Sequence, residues 1–230
     1  FEQGLKQYPG TDLLSRRQIR ADDIAAYFHT GGTTGTPKIA QHTHANEVAN
    51  ATMIRLCLEQ EGSHFRDELA LVALPLFHVN AAIATGLTVL SHGMSMVLAG
   101  PAGFRTQKVV DHFFDMVEHY KVSFFSAVPT AIGALNNQTC QYKDLSSLKF
   151  AISGAAPIPV DTFKTFQQKT QVKLLEGYGL TECARASSLT PMEKPEKPGS
   201  IGMRLPHSKM KILVLDDNMS FVREAEINEI

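Results

Sequence analysis

At 230 residues the chain is long enough to bury roughly 70% of its unfolded surface without disulfide or metal support. Its composition, 43% hydrophobic and 20% charged with 16 Gly and 11 Pro, excludes a collagen, a coiled coil and wholesale disorder. Lys and Arg number 22 against 23 Asp and Glu, so the net charge is −1, no basic run stands out, and no nucleic-acid partner is expected.

Taken in chain order, β-branched or aromatic runs alternate with helical ones. A strand is predicted over Ile24–His29, a helix over His44–Cys57 and a strand over Leu69–Leu74. A buried helix over Asn80–Ser91 and a strand over Met94–Leu98 follow. From Leu69 to Phe104 there are 36 residues without Asp, Glu, Lys or Arg. Pro75, Gly86, Gly93 and Pro101 break this span, so it reads as strand, loop, buried helix and strand rather than a membrane helix of ~20 apolar residues. A helix over Thr106–His119 carries a wide apolar stripe through Val109, Val110, Phe113, Phe114, Met116 and Val117, with Thr106 at the N-cap position. Strands over Val122–Ser126, Leu148–Ser153 and Val172–Glu176 enclose helices over Pro129–Asn136 and Val160–Lys169. The stretch TPMEKPEKP, from Thr190 to Pro198, reads as a loop or subdomain boundary, with strand-like sequence after it, including Met210–Leu215. The alternation predicts an α/β fold with layered, largely parallel sheets and flanking helices, and ligands at the loops that follow the strands. Residues 1–198 are expected to form this core and residues 199–230 to begin a β-rich subdomain.

Cys57, Cys140 and Cys183 lie 83 and 43 residues apart, which fits neither a zinc site nor a disulfide framework. A reducing, cytoplasmic compartment is expected. The start, Phe1-Glu2-Gln3-Gly4, has no signal-peptide character. It lacks a Met, and the chain stops at Ile230 inside a half-apolar acidic stretch, so a piece of something longer is expected.

Three clusters carry chemistry. After the first strand comes Thr30-Gly31-Gly32-Thr33-Thr34-Gly35-Thr36-Pro37-Lys38. Glycines allow close backbone approach, threonines supply hydroxyls and Lys38 supplies a positive charge, which together suit a polyphosphate. The loop is expected to run from a strand into a helix. It lacks the Gly-Lys-Ser/Thr ending of a Walker loop. The second cluster is Ser153-Gly154-Ala155-Ala156-Pro157, a shelf of small residues on which a flat base can lie, or a tight strand-to-helix turn. The third is Glu176-Gly177-Tyr178-Gly179-Leu180-Thr181-Glu182. Its glycines leave a ring face open for stacking, Thr181 offers a hydroxyl, and Glu182 offers a hard oxygen for Mg²⁺; the alternative is a strand end with a solvated glutamate. His42 and His44 lack a third ligand and are not read as a metal site.

With Pro75-Leu76-Phe77-His78 and Gly199-Ser200-Ile201-Gly202, these clusters resemble, in order, the motifs of the adenylate-forming enzyme superfamily, most closely its acyl-CoA synthetases. The resemblance covers residues 30–206. It implies that Thr30, Gly31, Gly32, Thr33, Thr34, Gly35, Thr36 and Lys38 hold the β- and γ-phosphates of ATP. Gly154, Ala155, Ala156, Glu176, Gly177, Tyr178 and Gly179 would form the adenine site, with Tyr178 stacking on the base. Thr181 would bond the α-phosphate, Glu182 would bind Mg²⁺ with Thr30, and His78 would meet the carboxylate of the acid or gate its pocket. Lys38, His78, Thr181 and Glu182 are thus the implied catalytic residues. Val79, Asn80, Val128, Thr130 and Ala131 are candidate acid-pocket residues, without a charge to meet an amino group.

The implied reaction makes an acyl-adenylate from a carboxylic acid and ATP, then an acyl-coenzyme A thioester. The family's ribose-binding segment and the lysine of its C-terminal domain find no match here. The 230 residues are therefore expected to be inactive by themselves. The alternatives are a nucleotide-binding regulatory module and an adenylation domain serving a carrier protein. The partner expected is a small carboxylic acid; no membrane contact is indicated and the oligomeric state is not legible.

Overall fold

The computed structural model describes residues 17–30, 38–58 and 67–226. Two antiparallel strands, β1 (Ile24–Thr30) and β2 (Lys38–Thr43), form a ribbon in which Thr30 pairs with Lys38. The helix α1 (His44–Leu58) follows. Then come β3 (Leu69–Val72), a π-helical stretch (Asn80–Leu87) that runs into α2 (Thr88–Ser91), and β4 (Ser95–Leu98). Helices α3 (Gln107–Asp111) and α4 (Phe113–Tyr120) lead to β5 (Phe124–Ala127). Next are α5 (Pro129–Asn136), β6 (Phe150–Ser153), α6 (Val160–Thr170) and β7 (Lys173–Tyr178). Short strands β8 (Ser188–Leu189) and β9 (Met203–Arg204) extend the sheet, and β10 (Leu213–Leu215) and β11 (Phe221–Glu224) form a separate antiparallel ribbon.

The central sheet has the order β4-β3-β5-β6-β7-β8-β9. Pairing is parallel from β4 to β7 and antiparallel from β7 to β9. Alternation along each inner strand sends successive side chains to opposite faces. Leu71, Phe125, Ala151 and Leu174 join a core with Phe113 of α4, Ile132 of α5 and Phe166 of α6. Their neighbours Ala70, Phe124, Phe150, Ile152 and Leu175 join a second core with Ile54 and Leu58 of α1 and Ala84 and Val89 of the π/α2 segment. Both faces are therefore dry, which is why these strands read as continuous apolar runs. Phe113, Phe125 and Phe166 are each no more than 2% exposed. Phe125 meets Phe113 edge-on at 4.7 Å and Phe166 at 6.1 Å.

The α/β architecture agrees with the sequence reading, with differences of local origin. The helix expected over Thr106–His119 is broken at His112, whose φ of −103° and ψ of 15° leave the helical region. Thr106 occupies the N-cap position of α3 but makes no side-chain capping bond. The helix expected over Asn80–Ser91 is π-helical in its first eight residues. The Thr30–Lys38 loop runs into a strand and not a helix, because Lys38 opens β2 beside β1. Among the described residues no helix is long and apolar enough to cross a membrane.

Candidate active site

Four of the parallel strands end at the same edge of the sheet, and their following loops line three adjoining cavities, as open α/β sheets place ligands. The first cavity is about 400 Å³ and lies beyond β3 and β5. Its walls are mostly apolar, with Ala73, Leu74, Phe104, Val128 and Ala131 among them, and His78, Asn80, Thr130 and Arg105 add polarity. The second, about 460 Å³, lies beyond β6 and β7, between Ser153–Pro157 on one side and Glu176–Leu180 on the other, with Gly199 and Ile201 beside them. A narrow junction of about 80 Å³ lies between these two sets of walls. His78, Val79 and Asn80 reach it from the first cavity, Gly177 to Thr181 from the second, and Arg185 lines it as well. Ala155 borders all three spaces.

The backbone explains how these walls come so close. Ala155 adopts φ +73°, which a side-chain-bearing residue takes up at a cost of order 1–3 kcal/mol. A Cβ on Gly179 would lie 1.4 Å from the Arg185 carbonyl oxygen, so only glycine lets the Tyr178–Leu180 segment pass there. Tyr178 is 40% exposed at the second cavity, which leaves part of its ring open. Glu176, only 8% exposed, accepts a hydrogen bond from the Gly199 N–H at 2.8 Å, and burial pushes its carboxyl group above the ordinary range.

The Thr181–Cys183 turn is held from behind by the β1–β2 ribbon and α1. The Nε2–H of His42 donates to the Thr181 carbonyl at 2.7 Å, since a carbonyl oxygen only accepts. His42 is buried, and its Nδ1 lies 3.5 Å from a Glu47 carboxylate oxygen. The Asn50 amide donates to the Ala186 carbonyl at 2.8 Å and accepts from the Ala186 N–H at 3.3 Å. Two polar atoms on the cavity walls are buried without a partner: Oδ1 of Asn80 in the first and Oγ of Ser153 in the second. Buried polar groups are usually satisfied, so such orphans mark where a ligand or water belongs.

The AMP-binding enzyme family matches residues 3–230. The chain belongs to this family. Marinolic acid–CoA ligase of a Pseudoalteromonas species is 39% identical over 227 residues, covering 98% of this chain and 35% of that protein. Long-chain-fatty-acid–CoA ligase of Haemophilus influenzae is 30% identical over 212 residues, covering 91% of this chain and 37% of that protein. The chain thus spans little more than a third of the length of these relatives. O-succinylbenzoate coenzyme A synthetase of Bacillus subtilis, solved with ATP and a magnesium ion, superposes with a TM-score of 0.71 at 25% identity, over 89% of this chain and 40% of that one.

The structure brings together His78, Gly154, Ala155, Gly177, Tyr178, Gly179 and Thr181 at the junction, and Ala156 and Glu176 at the second cavity. Asn80, Val128, Thr130 and Ala131 line the first cavity, and Val79 the junction. Gly31, Gly32, Thr33, Thr34, Gly35 and Thr36 lie outside the described residues; Thr30 and Lys38, which flank them, are paired across the ribbon. Glu182 is exposed and has no ion-pair partner among the described residues, and Thr30 uses its hydroxyl hydrogen on the Lys38 carbonyl at 3.2 Å, leaving its oxygen lone pairs. Among the described residues no three His, Cys, Asp or Glu converge on a metal position. The exposed Glu182 carboxylate offers the hard oxygen that Mg²⁺ takes alongside phosphates and water.

Two cations escaped the sequence reading. Arg105 lines the first cavity, with its guanidinium 5.8 Å from the Phe77 ring centroid, so this cavity carries a positive charge. Arg185 lines the junction. Its only sequence signal is that no other Lys or Arg occurs between Lys173 and Lys194.

Proposed function

We propose that the protein carrying this chain activates a carboxylic acid with ATP and passes the acyl group to coenzyme A. The observation that carries this reading is the arrangement of an apolar cavity and an aromatic, glycine-lined cavity on either side of a junction that Thr181 lines. The first would take the acid's hydrocarbon part and the second the adenine, between the Tyr178 ring and the Gly154–Ala156 shelf. A carboxylate oxygen would bond to the α-phosphorus at the junction as the α–β bridging bond breaks and pyrophosphate leaves. The coenzyme A thiol would then bond to the acyl carbon, AMP would leave with the former carboxylate oxygen, and the thiol proton would pass to solvent.

The residues supply orientation and charge. Thr181 would donate to the α-phosphate, and Lys38 with the Gly31–Thr36 loop would hold the β- and γ-phosphates. His78 would orient the carboxylate, which needs no general base because it is already a nucleophile at neutral pH. Positioning two reactants in line removes a large part of the barrier. Mg²⁺, held by Glu182 and Thr30, would supply charge neutralisation on the phosphates. The apolar cavity and Arg105 disfavour an amino acid, whose ammonium would meet no carboxylate among the described lining residues, and support an aliphatic or aryl acid. The three unpaired cysteines support a reducing, cytoplasmic setting.

The test is exchange of labelled pyrophosphate into ATP by the full-length protein across a panel of aliphatic and aryl acids. Exchange that requires an acid is expected. Nucleotide binding without exchange under any acid would favour a regulatory module, and acyl transfer only to a carrier protein would favour a carrier-dependent domain. Glu182→Ala is expected to lower kcat by about 10²–10³ with its melting temperature retained, and Glu182→Asp to recover part of that. Near-normal kcat in the folded Ala variant would remove Glu182 from the site. We further propose that the 230 residues alone form no acyl-coenzyme A, since they span little more than a third of the relatives' length. Thioester formation by the purified 230 residues would refute this.

A further inference from the structure

Arg185 is 8% exposed and, among the described residues, no carboxylate lies within ion-pair distance of it and no side-chain hydrogen bond holds its guanidinium. A buried cation without a partner is costly, because desolvation is not repaid by a counter-charge. Burial lowers its pKa to about 10, so it stays charged at neutral pH and cannot relieve that cost by losing its proton. The backbone that carries it is also unusual. Ala184 has φ +53° and Arg185 φ +104°, and no glycine relieves either position. The loop is nevertheless fastened on both sides: Asn50 bridges to Ala186, and the Arg185 N–H donates to the Leu180 carbonyl at 3.1 Å. Strain, an unpaired charge and firm bracing therefore meet at one residue on the wall of the junction.

Resting on the reading of the site given above, we propose that the Arg185 guanidinium is the counter-charge for the carboxylate of the acid substrate at the junction, making it a positioning and specificity residue. The junction is where a carboxylate has to approach a triphosphate, so like charges must be held together there. The α-phosphate already has Thr181 on its side. On the acid side the polar groups reaching the junction are His78 and Asn80, and the orphaned Asn80 Oδ1 is an acceptor that cannot bind an anion. A planar guanidinium fork matches a carboxylate in charge and in shape. It would bind the acid's reacting end while leaving the hydrocarbon part to the apolar cavity.

The experiment compares an acid with its uncharged isostere in the full-length protein. Octanoate is assayed as substrate by pyrophosphate exchange, and octanamide as an inhibitor of it, in the parent and in Arg185→Met. Acid-dependent exchange by the parent tests the proposed function; the comparison between variants tests Arg185. Expected in Arg185→Met is an octanoate KM raised at least about thirty-fold, with the octanamide inhibition constant and the ATP KM changed less than about threefold. An unchanged octanoate KM overturns the proposal. So does an equal weakening of octanoate and octanamide, which would show a loss of pocket shape, or an ATP KM that rises as much as that of the acid, which would assign Arg185 to the nucleotide. If Arg185→Met does not melt cooperatively, Arg185→Lys carries the same comparison. Its shorter point charge is expected to raise the octanoate KM severalfold and spare octanamide, and equal values for both ligands overturn the proposal.

Discussion

Glu176 shows how one buried carboxyl serves the site at a cost in stability. Its side chain fixes Gly199 beside the second cavity, yet burial raises its pKa above the ordinary 4.5. Below 4.5 the group is protonated in both the folded and the unfolded chain. As pH rises the unfolded chain ionises first, so the folded state binds more protons and stability falls through the raised pKa. Glu176→Gln keeps an acceptor for the Gly199 N–H and removes the charge. Its melting temperature is expected to exceed the parent's at pH 7 and to converge with it near pH 4; a lower melting temperature at pH 7 would mean that the charge is compensated. Little of this was legible beforehand. Glu176 stood out as part of a glycine-flanked motif, but its tie to Gly199 spans 23 residues and depends on the fold. Arg185 left even less trace, because a loop arginine near a glutamate reads as a solvated charge until its burial is known.

At the scale of elements, the β1–β2 ribbon is tied to the Thr181–Cys183 turn by the hydrogen bond from the buried His42. Removing the donor should loosen Thr181 without touching either cavity wall. His42→Phe is therefore expected to lower kcat/KM for ATP about tenfold, a loss of roughly 1.4 kcal/mol, the order of one hydrogen bond at a buried carbonyl. His42→Gln, whose amide can donate to the same oxygen, should recover part of the loss. Equal rates for His42→Phe and the parent would make the contact a packing detail. The inner strands β3, β5 and β6 were legible because both faces are covered, which writes each as a largely apolar run. β2 was not: Lys38-Ile39-Ala40-Gln41-His42-Thr43 is mixed in polarity and half exposed, since among the described residues it pairs with β1 alone. The break at His112 was hidden because the apolar stripe continues across it, and β8 and β9, two residues each, carry too little pattern to detect.

For the molecule as a whole, the parallel order β4-β3-β5-β6-β7 brings the loops after β3, β5, β6 and β7 to one edge, so segments more than 100 residues apart meet around a junction of about 80 Å³. The order of motifs anticipated this gathering, while the sizes of the spaces and their shared wall came only with the packing. That wall has an evolutionary consequence. Because Ala155 borders all three spaces at once, any larger side chain there would, on the proposed reading, alter the fit of the acid and of the nucleotide together. On that reading, a lineage drifting toward a bulkier or slimmer acid would gain nothing from Ala155, since each improvement for the acid would disturb the fit of the nucleotide. Ala134 and Phe104 line the first cavity and neither of the other two spaces, so on the same reading they are positions where the menu of acids could diversify while the nucleotide chemistry stayed fixed.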